Sequence, residues 1–413
     1  MSQDTVSRPP GQSDDELPYF PMQRVCPFDP PAEYAALRDD QPVVKVRVPT
    51  GQDAWLVTRY DDVRRLLTDP RVSADRRHPN MPLTEEVTEQ SRRNIAAFGR
   101  SLIGLDPPEH GPRRRMLIAE FTVRRMQELR PHIQHTVDGL IEDMLAGPRP
   151  VDLNTALSIK VPTHTLCDLL GMPFEDHELI VRSATAQLRR SVTPEERQRT
   201  SAELRAYIDQ LILKKSAEPT DDLLGRLILT NRETQLYDHN LLVGITMLLM
   251  VAGFETTASM ISLGVAGLLQ DPQAVARIVA DPAAANQAVE ELLRYFSVVD
   301  SLPRIALADI EVGGVTIREG EGLMLSFLAA NWDEQVFPDA STVDIDRGAR
   351  HHVAFGYGIH QCIGQNLARA ELQIVYRTLF TRIPGLRLAV PLEELPFKQD
   401  SNIYGIDELP VTW

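Results

Sequence analysis

The chain has 413 residues, 43% of them hydrophobic, enough to bury a substantial core in one large domain or in two to three ordinary ones. Its 58 Asp and Glu outnumber 43 Lys and Arg, and the net charge of -15 with a pI near 5.2 argues against a nucleic-acid groove or an anionic membrane surface as the main partner. Three cysteines, Cys26, Cys167 and Cys362, are odd in number and form no CxxC pair, which argues against a disulfide framework and fits a reducing cytoplasm.

Residues 1–20 lack the apolar stretch of a signal peptide and carry acids where a transit peptide carries bases, so they read as a short disordered lead. "PPAEYAALRDD" predicts a short helix, and "VVKVRV" and "AWLVTRY" around "PTGQD" predict a hairpin. "YDDVRRLLTDP" has a helical apolar stripe that Pro70 ends, and residues 75–103 read as a long polar loop. From Pro107 to about residue 270 helical periodicity recurs, with breaks at Gly147-Pro148, Gly171-Met172-Pro173, Thr193-Pro194 and Pro219. Within it, residues 241–269 are long and apolar enough for a membrane span, but acids flank them and Gly253, Glu255, Thr256, Thr257 and Ser259 cluster mid-way, so a buried central helix is expected. Another helix begins near Pro282, short strands including "IEVGGVTI" follow, then a cysteine loop, a helix over about 363–382 and a strand-poor tail. Without repeats or Gly/Ser linkers, residues 21–413 read as a single, mainly α domain with a small β portion.

The cysteine loop, "HHVAFGYGIHQCIGQNLARAEL", places three glycines close to Cys362 and puts its sulfur at the start of a helix, where backbone amides favour a thiolate. A thiolate is a metal ligand or a nucleophile. A zinc site drawn from His351, His352, His360 and Cys362 matches no usual ligand spacing, and a cysteine hydrolase would need a base the sequence does not indicate. The third reading is axial ligation of haem iron.

"FGYGIHQCIGQNLAR" is similar to the haem-binding signature of the cytochrome P450 family, Phe-Gly-x-Gly-x-His-x-Cys-x-Gly followed by Leu-Ala-Arg, with every fixed position filled by Phe355, Gly356, Gly358, His360, Cys362 and Gly364. The resemblance implies the cytochrome P450 fold, haem b as cofactor and Cys362 as the iron ligand. Glu291-x-x-Arg294 and the later Arg347 resemble the family's structural triad, and "AGFETT" resembles its distal helix, with Ala252 by the porphyrin, Glu255 and Thr256 delivering protons and Gly253 opening a local bulge. Phe254 is assigned to packing. His110, Arg114, Arg304 and His360 stand where the family binds haem propionates. Trp332 departs from the family's usual arginine and is expected to be a structural substitution near the proximal sheet.

The resemblance spans nearly the whole chain and is closest to the actinobacterial branch known for sulfonylurea and vitamin D oxidation and antibiotic tailoring. It implies a cytoplasmic, monomeric monooxygenase that puts one oxygen atom of dioxygen into a mostly hydrophobic small molecule or natural-product intermediate. Electrons would come from a separate ferredoxin or flavodoxin and an NAD(P)H-dependent reductase, docked on Arg113, Arg115, Arg124 and Arg350. Leu248, Asp300, Leu302 and Ile403, with the segment around Arg189 and Arg190, are the expected pocket lining. Aromatic nitration with nitric oxide and dioxygen is the alternative at the same haem, and a haem-binding sensor without turnover is a second one, against which the Glu255-Thr256 pair speaks.

Overall fold

The computed structural model describes residues 17–21, 23–84 and 102–413. Helix α1 (Glu33–Asp40) leads into strands β1 (Val43–Arg47) and β2 (Asp53–Val57), helix α2 (Tyr60–Thr68) and strand β3 (Val72–Ser73). A helical body follows: α3 (His110–Ile118), α4 (Val123–Ala146), the short strand β4 (Val151–Asp152), α5 (Lys160–Leu170), α6 (His177–Leu188), α7 (Pro194–Ala217), α8 (Leu223–Thr234), α9 (His239–Leu268), α10 (Pro272–Ala280) and α11 (Pro282–Phe296). The last third holds β5 (Ser301–Ala306), β6 (Ile310–Val312), β7 (Val315–Ile317), β8 (Gly322–Ser326), α12 (Phe327–Asn331), α13 (Gln365–Arg382), β9 (Arg387–Leu388) and β10 (Pro410–Thr412).

Local chemistry sets these boundaries. Several helices begin on capping side chains: Thr193 accepts from the Glu196 amide ahead of α7, Asp238 from Leu241 ahead of α9, and Asp281 from Ala283 ahead of α11. Proline follows the cap at Pro194 and Pro282, where no intrahelical donor is lost. The predicted hairpin forms with Val43 opposite Val57 and Arg47 opposite Asp53. It joins a five-stranded sheet of order β1-β2-β8-β5-β3, in which β2 and β8 run parallel. The tail, read as poor in strands, nonetheless ends in one: β10 lies between β4 and β9 in a second sheet, a pairing across two-residue strands that leaves no sequence pattern.

The central apolar stretch is α9. It is long and apolar enough to cross a membrane by length and composition, but 72% of that window is buried inside the fold. It packs against α5, α6, α7, α11 and α13 as the axis of the core. Contact is closest at Gly264, where a β-carbon would overlap the Tyr376 hydroxyl of α13; that hydroxyl donates to the Met260 carbonyl at 2.6 Å. The expected lead lies outside the described residues except at its end, where the Phe20 amide donates to the Arg47 carbonyl at 2.9 Å and the Arg47 amide to the Pro18 carbonyl at 2.8 Å. Most of the expected 75–103 loop also lies outside them.

Candidate functional site

The cysteine loop closes on itself. The Cys362 amide donates to the Phe355 carbonyl at 2.8 Å and the Gly356 amide to the Val353 carbonyl at 2.8 Å. Gly356 and Gly358 have φ of +69° and +72°, disfavoured for any residue with a β-carbon, and one at Gly358 would stand 2.8 Å from the Leu67 carbonyl at the end of α2. Burial pushes the Cys362 thiol up; the amides of Gly364 and Gln365, with Arg114 and Arg369, pull the other way. The side chain is enclosed by protein yet accessible at its surface, the combination found on the wall of an interior cleft. The three candidate zinc histidines do not converge on it: His351 stacks on Phe337, His352 faces Glu290, and His360 lies against His110.

Cations gather beside the loop. His110 and Arg114 are one turn apart on α3, and Arg114 donates to the Gln361 carbonyl at 2.5 Å. The His110 and His360 rings are 4.4 Å apart, and both Nε2 atoms are buried without a hydrogen-bond partner among the described residues. Burial, then Arg304, His110 and Arg114, bring His360 down to about 3, so it is neutral. Arg304 of β5 is lowered to about 10, first by burial and then by Arg76. The carboxylate that His110 and Arg304 feel is Asp106, whose oxygens are taken by the Ser73 hydroxyl at 2.5 Å and the Ala74 amide at 3.0 Å. Two unsatisfied ring nitrogens among buried guanidinium groups form a receptor for anionic oxygen atoms.

Behind the loop, Glu291 and Arg294 of α11 form a bidentate pair at 2.7 and 2.9 Å, and Arg347 reaches the same carboxylate at 3.1 Å. Arg294 is fully buried and also donates to the carbonyls of Asn331, Ala340 and Thr342, so the cluster is satisfied throughout. A second network went unread in the sequence. Glu290 binds Arg369 of α13 at 2.6 and 3.0 Å and faces His352 at 3.4 Å. Against burial, which would raise it, His352 and Arg369 hold the Glu290 carboxyl down to about 2. Arg369 also lies 4.6 Å over the Phe355 ring, tying α11 and α13 to the cysteine loop. Trp332 caps α12 and donates to the Tyr295 carbonyl at 2.8 Å; it therefore packs on the last turn of α11 rather than on the sheet, because its indole finds an acceptor there.

In the middle of α9, Ala252 is exposed and Gly253 and Thr256 are half-buried, although the helix around them is buried. The expected bulge at Gly253 is absent: α9 is continuous, and the missing side chain admits Leu166 of α5, whose Cδ2 would be 3.2 Å from a β-carbon. The π-type turn lies elsewhere, at Asn154–Ser158. Thr256 donates back to the Ala252 carbonyl at 2.9 Å. Glu255 is buried and pairs with Lys398 at 2.5 Å. Phe254 is 1% exposed, in the core.

The pocket candidates divide. Leu248 and Ile403 are buried and Leu302 is half-buried on β5. The Asp300 carboxylate is occupied by the Tyr34 hydroxyl at 2.9 Å and the Ser326 hydroxyl at 3.0 Å, so it anchors α1 to β8 instead of facing a pocket. Arg189 and Arg190 are likewise engaged, Arg189 by Asp400 and Asp407 and Arg190 by the Ser401 carbonyl at 3.1 Å. Of the docking arginines, Arg115, Arg124 and Arg350 are exposed, while Arg113 is half-buried and lies 3.8 Å from Glu109.

Residues 283–383, which contain the triad and the cysteine loop, match the model of the cytochrome P450 family. The vitamin D3 dihydroxylase of Streptomyces griseolus is 44% identical over 400 residues, 96% of this chain and 97% of that protein. The chain belongs to the cytochrome P450 family. Among solved P450 structures, MoxA from Nonomuraea recticatena superposes with a TM-score of 0.88 at 50% identity, covering 96% of this chain and 98% of that one. The mycinamicin VIII methyl hydroxylase MycCI from Micromonospora griseorubida, solved with mycinamicin VIII, does so at 0.90 and 41%, covering 96% and 100%. As a P450 the chain is a monooxygenase that uses haem, in the actinobacterial branch the sequence pointed to. Its residues fit the cofactor: an accessible thiol at a helix start, two orphaned histidine nitrogens among buried cations, and a small residue exposed in the middle of a buried helix.

Proposed function

We propose that this P450 inserts one oxygen atom of dioxygen into a mostly hydrophobic small molecule or natural-product intermediate, by hydroxylation or epoxidation. It would hold haem b through Cys362, act as a cytoplasmic monomer, and take electrons from a separate ferredoxin or flavodoxin served by an NAD(P)H-dependent reductase. The observation that carries the reading is the accessible Cys362 sulfur beside two buried histidine nitrogens that have no hydrogen-bond partner among the described residues. His110, Arg114, Arg304 and His360 would receive the propionates, and Phe355, Gly356 and Gly364 would shape the loop that presents the sulfur.

Haem, when bound, supplies the redox centre that activates dioxygen. The chain supplies the rest. Ala252, small and exposed in mid-helix, would leave room for the porphyrin, and the Thr256 hydroxyl is held by the Ala252 carbonyl at 2.9 Å. Glu255, one residue before it, carries protons from the buried side of α9 to that hydroxyl. Glu291, Arg294 and Arg347 brace the loop from behind. Leu248, Leu302 and Ile403 line an apolar space for the substrate, a class in keeping with the vitamin D3 and mycinamicin named for the two relatives.

The test is spectroscopic first. The reduced protein with carbon monoxide should show the red-shifted band of thiolate-ligated haem, and Cys362→Ser should lose it while retaining secondary structure. Incubation with a reductase pair and candidate apolar substrates, followed by mass spectrometry, should then show gain of one oxygen atom; gain of a nitro group in the presence of nitric oxide would favour the alternative chemistry.

A further inference from the structure

The acid on α9 is not alone. Lys398, from the tail, is 7% exposed, and its ammonium donates to Glu255, itself 5% exposed. Lys398 opens a hairpin: its amide donates to the Gly405 carbonyl at 2.9 Å, and Phe397 pairs with Ile406. The hairpin presses on α9 because residue 405 has no side chain; a β-carbon there would stand 2.9 Å from the Ser259 Cβ and 3.2 Å from the Lys398 Cδ. Ser259 lies one turn beyond Glu255, and its buried hydroxyl has no hydrogen-bond partner among the described residues. The same segment grips the end of α6: Asp400 in the hairpin and Asp407 just past it hold the Arg189 guanidinium, and the Arg190 amide donates to the Asp400 carbonyl at 2.7 Å.

We propose that Lys398 is the positioning residue for proton delivery, holding the Glu255 carboxylate on the tail side of α9, and that the 397–406 hairpin couples that hold to the seating of α6. The inference rests on the proton-handling role given to Glu255 above. A buried carboxylate whose one partner is a buried ammonium is fixed in orientation, since turning away leaves two unpaired charges in the interior. Proton transfer through Glu255 toward the Thr256 side then starts from a carboxylate held in one orientation, and whatever moves the hairpin sets how firmly it is held. Arg189 is the handle: α6 shifting around a ligand pulls on Asp400 and Asp407, two and nine residues beyond Lys398 in the same segment. Lys398 exchanges no electrons; protons arrive from solvent and electrons from the ferredoxin.

The test uses the haem-loaded full chain reduced by a plant-type ferredoxin and its NADPH-dependent reductase, without added substrate. Lys398→Met should slow oxygen consumption about tenfold and enlarge its solvent isotope effect, with the carbon monoxide spectrum unchanged, while Lys398→Arg stays near wild type. Lys398→Met combined with Glu255→Gln should be no slower than Glu255→Gln alone. In hydrogen exchange, Arg189→Ala should speed exchange of peptides covering 397–406. Wild-type rate and isotope effect in Lys398→Met, or losses that multiply in the double variant, would overturn the positioning role. Unchanged exchange in Arg189→Ala would overturn the coupling. If Glu255→Gln itself consumes oxygen with wild-type rate and isotope effect, the proton-handling reading fails instead, whatever Lys398 does.

Discussion

Glu371 shows what one buried group does to the pH response. It lies on α13, 2% exposed, with one carboxyl oxygen unpartnered, and burial raises it to about 8 against the pull of the Thr165 hydroxyl. The folded chain therefore keeps a proton that the unfolded chain releases above its ordinary 4.5, so stability is fully present below that value and falls as pH rises toward 8. Urea titrations should show wild type losing about 2 to 3 kcal/mol relative to Glu371→Gln between roughly pH 5 and 7. Such a residue is invisible in sequence, where a glutamate on a helix reads as solvated. Cys362 is the opposite case: its spacing to three glycines and a histidine is local, so the tight loop around it was legible. Lys398 and Glu255 are 143 residues apart, and no periodicity joins them.

At the scale of elements, helices were read well because their starts and stops are written in caps and prolines, as at Thr193-Pro194 and Asp281-Pro282. Sheet partners were not, since β3, β4 and β9 are two residues each and their order is set by the helices that carry them. The packing of α9, α11 and α13 makes two predictions. Glu291→Ala strands buried Arg294 and should cost about 3 to 5 kcal/mol, measured as loss of both folding stability and haem retention. Gly264→Ala forces the Tyr376 hydroxyl away from the Met260 carbonyl and should cost about 1 to 3 kcal/mol in thermal or urea unfolding with the cysteine site untouched.

For the molecule as a whole, a net charge of -15 repels an acidic electron donor, so the ferredoxin proposed above would need a local exception to dock. Arg115, Arg124 and Arg350 are exposed, and Ile118, Val123, Tyr357 and Ile359 are exposed apolar residues on the elements that carry or adjoin the cysteine loop. Reversing Arg124 and Arg350 to Glu should slow reduction by an acidic ferredoxin about tenfold at low ionic strength, with the difference shrinking as salt is added. Stopped-flow reduction measures it; equal rates at low salt would remove these residues from the docking face.

The two histidine nitrogens left without partners beside Arg114 and Arg304 bear on how the chain matures. Until porphyrin arrives, the interior carries the charges of Arg114 and Arg304, and the binding free energy of the pigment is added directly to conformational stability. A cell that translates this message faster than it makes porphyrin would therefore accumulate a loosened, protease-sensitive species, and its yield should follow pigment supply rather than transcript level.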